Sequence, residues 1–249
     1  MDVASPAGRV SAWLSKFETA LDQNDIEALK SLFAADCYWR DLIAFTWNIK
    51  TMEGRDAIGA MASEMLGHVK PRNWRVDGEA TDADGIVEAW LTFETEHTNG
   101  KGHIRLNGEG CWTLLTTAQS LKGHEEKAGP TRDTGVEHGV HKGRLNWAER
   151  RAKEEAELGH TTQPYVVIIG GGQGGIGLAA RLKMLDVPTI ILEKNDRPGD
   201  SWRNRYKSLC LHDPVWYDHM PYIPFPKHWP VFSPKDKLGD WLESSVKLM

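Results

Sequence analysis

The chain has 249 residues, and its 30 Lys+Arg against 35 Asp+Glu give a net charge of −5. Apolar residues make up 40%, and the 24 glycines bring the chain into the range of about 45–50% for ordinary globular domains, which excludes disorder over the whole length. The acidic balance disfavours a generic nucleic-acid or anionic-membrane binder, no apolar run approaches the ~20 residues of a membrane span, and the opening residues lack a signal peptide's apolar core.

Val10, Trp13, Leu14, Phe17, Ala20 and Leu21 recur at helical spacing and predict a helix with one buried face. Asn24-Asp25 interrupts it and caps a short second helix carrying Ile26, Leu29, Leu32 and Phe33. Residues 37–42 turn extended, and Glu53-Gly54-Arg55-Asp56 precedes a third helix with Ile58, Met61, Met65 and Leu66. After Pro71 the period becomes two, at Trp74/Val76 and over residues 86–93. Asn99-Gly100-Lys101-Gly102 reads as a tight turn, followed by strands at residues 104–106 and 111–115. Helices followed by antiparallel strands make an α+β unit.

Residues 122–145 are rich in glycine and charge and read as a linker. Residues 146–158 form a solvated helix with an i,i+4 pair at Glu149/Lys153, stopped by Gly159. From Pro164 the pattern changes to a continuous apolar run at residues 165–169, a helix over 176–185 and a second apolar strand at 189–192. Strand, helix and strand at these lengths make a βαβ unit with parallel strands.

Between the first strand and the helix lies Gly170-Gly171-Gly172-Gln173-Gly174-Gly175, which satisfies G-x-G-x-x-G. Gly170 permits the tight turn, Gly172 lets backbone approach a pyrophosphate, and Gly175 lets helix pack on strand. Phosphates would lie over the helix N-terminus, where free N–H groups and the dipole favour negative charge. Glu193 ends the second strand, where an acid accepts hydrogen bonds from ribose hydroxyls and argues against a 2′-phosphate.

The following segment, Arg197-Pro198-Gly199-Asp200-Ser201-Trp202-Arg203, resembles the Gly-Gly-x-Trp stretch of flavin-containing and Baeyer–Villiger-type monooxygenases. Residues 209–214, 220–226 and 229–243 resemble the next blocks of that group, so the likeness covers roughly residues 164–249. It implies FAD bound by Gly170, Gly172, Gln173, Gly174, Gly175, Glu193 and Lys194, with Ser201, Trp202 and His212 against the cofactor. His219 and His228 are packing or flavin-pocket groups on the same reading. Asp200 departs from the family's second glycine and would narrow the approach to the phosphates.

The first 125 residues resemble the ketosteroid-isomerase-like cone of the nuclear transport factor 2 superfamily, through the opening helices, residues 33–41 and 53–58, and the later strands. An isomerase needs a base carboxylate and an oxyanion pair. Asp41 is a candidate base, but Tyr38 is the only tyrosine before residue 165, and a strand over 37–42 points the two to opposite faces. A binding or assembly role is therefore expected, with a homodimer formed through a sheet face covered by Trp74, Trp90 and Trp112.

The expected architecture is an α+β cone domain with a curved antiparallel sheet (1–125), a linker with a charged helix (126–163), and an incomplete α/β Rossmann-type FAD-binding domain (164–249). The expected function is the N-terminal portion of an FAD-dependent, NAD(P)H-using monooxygenase acting at N, S or a carbonyl of a small organic substrate. The alternative is a non-catalytic binding or assembly module with a degenerate nucleotide fold. Only 86 residues follow Gln163, with no second G-x-G-x-x-G, so the NADPH or NADH site is expected outside this chain. The helical pattern over residues 240–249 has no stop signal, which predicts a fragment of a longer protein, inactive alone. No catalytic residue is assigned. No metal site is expected, since His138 and His141 sit in a glycine-rich loop without further ligands. Cys37, Cys111 and Cys210 are odd in number and far apart, which suits a reducing, cytoplasmic setting; Cys111 reads as a buried small hydrophobe.

Overall fold

The computed structural model describes residues 5–136 and 138–249, so the first four residues of the expected 1–125 domain lie outside it. The chain divides between Glu125 and Glu126 into two compact units. Among the described residues no helix is long and apolar enough to cross a membrane.

The first unit opens with α1 (Pro6–Asp22), whose N-cap Ser5 accepts from the Gly8 N–H, and α2 (Ile26–Ser31), capped by Asp25 accepting from the Ala28 N–H. There follow β1 (Phe33–Leu42), β2 (Ile49–Glu53), α3 (Gly54–Val69), β3 (Arg72–Ala83), β4 (Ile86–Glu94), β5 (Thr98–Asn107) and β6 (Gly110–Leu121). They form one six-stranded sheet in the order β2-β1-β6-β5-β4-β3. The sheet is not wholly antiparallel, as the sequence reading expects: β1 pairs with β6 in parallel. The chain reaches β6 only after β2, α3 and three hairpins, and arrives running in the direction of β1.

Three local expectations change in this unit. Phe33, placed by spacing in the second helix, instead opens β1 with its ring fully buried. Asn99-Gly100-Lys101-Gly102 is no turn but lies inside β5. A Cβ at Gly100 would run into the Phe93 ring, and one at Gly102 would stand 2.8 Å from the Leu115 carbonyl, so these glycines admit a cross-strand ring and a close strand. The reversal belongs to residues 95–98, where the Thr98 N–H donates to Thr95 Oγ1 and the two hydroxyls bond each other at 2.9 Å. Trp74, expected on an exposed face, is 5% exposed and packs inward, stacked on Phe93 with ring centroids 4.3 Å apart.

That interior is filled with rings. Trp13 stacks on Phe17 at 4.5 Å, Phe17 meets Trp74 edge-on at 5.1 Å, Phe33 stacks on Trp39, and Trp39 meets Phe45 edge-on at 4.9 Å. Such pairs add about 0.5–1.5 kcal/mol each beyond area burial.

In the second unit α4 (Trp147–Glu157) buries none of its residues. Asn146 and Glu149 form a reciprocal capping box, so Glu149 is engaged there and Lys153 pairs instead with Glu157 at 3.8 Å. The Arg151 guanidinium donates to the carbonyls of Val246 and Lys247, closing the last turn of α7 (Lys235–Leu248). β7 (Val166–Ile169), α5 (Gln173–Met184) and β8 (Thr189–Leu192) form the βαβ unit, with parallel register from Val166↔Thr189 to Ile169↔Leu192. Ile168 is buried, whereas Ile169, one residue on and pointing to the opposite face, is 79% exposed. The short α6 (Asp200–Arg203) runs against α7: Gly199, at φ +89°, lies so close that a Cβ there would meet the Gly239 carbonyl.

Candidate functional site

The glycine loop is set between β7 and α5, and each glycine answers to a different constraint. Gly170 adopts φ +104°, a region that L side chains avoid. A Cβ at Gly175 would run into the Gly170 carbonyl, so turn and helix touch backbone to backbone. Gly172 is the N-cap of α5 in ordinary extended geometry, and a Cβ there would project into open space, 3.9 Å from Ser201 Oγ. No side chain caps α5, whose first turn carries no acid. Its leading N–H groups therefore face outward with the positive end of the dipole.

Glu193 stands immediately after β8, and its carboxylate accepts from the Gly171 N–H at 2.5 Å and from the Asn195 backbone and side-chain N–H groups at 2.9 and 2.6 Å. These donors, the Asn195 backbone foremost and then Gly171, hold its pKa below the ordinary carboxylate value of 4.5. The acid is fixed as an anion beside the loop.

Two cavities open here. One of about 300 Å³ is lined by Gly171, Ile176, Glu193, Asn195 and Arg197. The other, about 460 Å³, is lined by Gln173, Trp202, Leu211, His212, Met220 and Trp241, among others. Gln173 begins α5, and its side-chain oxygen accepts from Trp202 Nε1 at 2.9 Å, tying the glycine loop to α6. Ser201 Oγ is buried with no hydrogen-bond partner, so it has a free donor and acceptor on the side of Gly172.

The structure thus brings Gly170, Gly172, Gln173, Gly174, Gly175, Glu193, Ser201 and Trp202 around one loop. His212 is exposed on the rim of the larger cavity, and Lys194 is exposed beside Glu193. Asp200 does not stand open to the phosphate approach, as its residue type suggests. Its carboxylate accepts from Arg203 at 3.0 Å and lies 3.4 Å from Arg197 Nε. Arg203 also donates to Asp240 and Glu243 at 2.8 Å, so the network fastens α6 to α7. Sequence reasoning missed Asn195, Arg203, Asp218 and Trp241. Only the i,i+3 spacing of Asp240 and Glu243 signals the arginine's partners.

In the first unit Asp41 is 0% exposed and fully engaged. It accepts from the Phe45 N–H, from the Thr46 N–H and hydroxyl at 2.8 Å each, and from the Thr116 hydroxyl at 2.8 Å, while Trp39 Nε1 donates to Thr116. These bonds pin residues 43–48, where Ile43 and Trp47 hold positive φ. Tyr38 faces the other side of β1, as the strand period requires.

Comparison with known proteins matches residues 14–116, within the first unit, to the SnoaL-like domain family. The chain is 36% identical over 93 residues to a protein named indole-3-pyruvate monooxygenase YUCCA1 of Oryza sativa subsp. japonica, covering 37% of this chain and 23% of that protein. It is 36% identical over 78 residues to an uncharacterized CzcO-like oxidoreductase of Geobacillus kaustophilus, covering 31% of this chain and 22% of the relative. The chain therefore spans about a quarter of the length of the curated relatives it matches. A solved cystatin-like domain from Nostoc punctiforme aligns at TM-score 0.40 and 15% identity, over 48% of this chain and 81% of its own. The matched relatives are named as a monooxygenase and an oxidoreductase, and the chain is similar to them over its matched residues.

Proposed function

We propose that the second unit is the N-terminal part of a Rossmann-type FAD-binding domain in an NAD(P)H-using monooxygenase, with the pyrophosphate over the N-terminus of α5. The observation that carries this reading is the cradle itself: uncapped helix amides, the open space in front of Gly172, a fixed Glu193 anion and an orphaned Ser201 hydroxyl. The residues present fit the group. The α5 amides and Ser201 would hold phosphate oxygens, Glu193 and Asn195 the ribose, and Trp202 and the larger cavity the ring system. The bound flavin supplies hydride acceptance and oxygen activation, chemistry that belongs to the cofactor. The protein's part is to orient the ring and exclude water from it.

The experiment is FAD titration of the purified 249-residue chain with parallel assays of NADPH consumption and oxygen uptake. Expected are a yellow protein or FAD uptake, and no turnover near 1 per second, because this chain has no second dinucleotide fingerprint. A colourless chain that takes up no FAD would support the binding or assembly module. Enzyme-like turnover would show that the hydride donor's site lies within these residues.

For the first unit we propose binding or assembly without catalysis. Asp41, the candidate base, has its lone pairs occupied by buried donors, and the interior is packed with rings. The outward face of the sheet carries Trp90, 47% exposed, flanked by His103 and Lys101. Half-buried Trp112 lies on β6, separated from β4 by β5. This face is proposed to pair with that of a second copy, which sedimentation at tens of micromolar tests: a dimer is expected, and a monomer contradicts it.

A further inference from the structure

The cavity of about 460 Å³ beside Trp202 contains two buried polar atoms that nothing in the chain satisfies: the acceptor Asp218 Oδ2 and the donor Trp241 Nε1. Buried polar atoms are ordinarily paired, so an unpaired acceptor and an unpaired donor lining one cavity call for a ligand carrying the complementary pair. Two neighbouring polar groups are already taken: His219 Nδ1 accepts from the Phe225 N–H, and Trp202 Nε1 donates to Gln173. Leu211, Met220, Phe225 and Leu242 supply apolar walls, while Arg205, His212 and Asp213 are exposed members of the same lining, so the ligand portion is flat and apolar on its faces and polar at its edge. We infer that Asp218 and Trp241 read the imide edge of a planar ring, the Asp218 carboxylate accepting the ring N–H and the Trp241 N–H donating to a flanking carbonyl. This rests on the FAD reading above: the isoalloxazine has one ring N–H between two carbonyls, and Gln173 links this cavity to the glycine loop.

The test uses the full chain and follows tryptophan fluorescence quenching by lumiflavin and by N3-methyllumiflavin, with FAD titrated in parallel. Wild type is expected to bind lumiflavin about tenfold more tightly than the N3-methyl compound, which has no N–H to give. Asp218→Leu is expected to weaken lumiflavin binding about tenfold and to erase the discrimination, and Trp241→Phe to weaken both compounds alike. Equal binding of the two compounds by wild type, with FAD still bound, would overturn this assignment and leave the FAD reading standing. Failure of wild type to bind FAD or lumiflavin would overturn both. Asp218-dependent binding of nicotinamide mononucleotide in place of lumiflavin would move the cavity to the carboxamide of a hydride donor and overturn the isoalloxazine assignment. The methylated probe keeps the question open to refutation even if a variant fails to fold.

Discussion

The two units solve the problem of an interior in opposite ways. In the first, seven aromatic rings from Trp13 to Phe93 close on one another, and among the described residues only the Trp74 indole N–H is left buried without a partner. In the second, the buried clusters are small, and Ser201 beside Gly172 and Asp218 and Trp241 in the larger cavity each keep an unsatisfied atom. A filled interior stabilises itself and has nothing left to recognise. An interior with unpaired donors and acceptors gains free energy when a ligand supplies the missing partners. Function is therefore read from where packing and hydrogen bonding stop short.

The sharpest way to break this contrast is to open the first unit. Asp41→Ala strips the acceptor from buried N–H and hydroxyl donors and releases a loop held at positive φ, so a loss of about 3 kcal/mol is expected in urea unfolding of the first unit. FAD affinity of the second unit should not change. A stable Asp41→Ala protein would mean that the network is not structural and would reopen Asp41 as a reactive group. The mirror experiment is Gly172→Val. Because φ there is −76° with ψ near 180°, valine fits the backbone and the fold should persist by circular dichroism. Its side chain would fill the space in front of Ser201, and FAD binding should fall by at least about a hundredfold.

How far these features are legible in the sequence differs between the units for a physical reason. Period locates α1, α3 and β4 because each buries one face and burial writes a pattern, whereas β7 and β8 are located by their continuous apolar runs, although only Ile168 among their residues is buried. Both signals miss β2, which is mostly exposed, and misread residues 99–102, because glycine signals a turn locally while here it makes room for Phe93 and Leu115. G-x-G-x-x-G with Glu193 is readable since its constraints are local. Asp218 and Trp241 are not, because what marks them is the absence of a partner, which only the fold reveals.

Smaller effects sharpen the comparison. Glu193→Gln keeps the shape but loses the anion that the Asn195 and Gly171 N–H groups stabilise, and FAD should bind about tenfold more weakly by calorimetry. The pKa of Glu193 is depressed, so its contribution to stability is present above the ordinary value of 4.5 and lost as pH falls through the lower folded value; Glu193→Gln should flatten that acid limb. In the first unit burial pushes the Cys111 thiol well above its ordinary 9.0. A raised pKa gives stability that is complete below pH 9 and declines above it, where only the unfolded thiol ionises. The stability gap between wild type and Cys111→Ala should narrow as pH rises past 9, and an unchanged gap would mean that the thiol is not isolated from solvent.

The most direct measurement is amide hydrogen exchange of the whole chain with and without saturating FAD. Slowed exchange is expected at residues 170–176, 193–202 and 209–220, with strands β1 and β4–β6 unchanged. Unaltered exchange at the glycine loop, or protection appearing in the strands of the first unit instead, would contradict the assignment of the ligand site to the second unit.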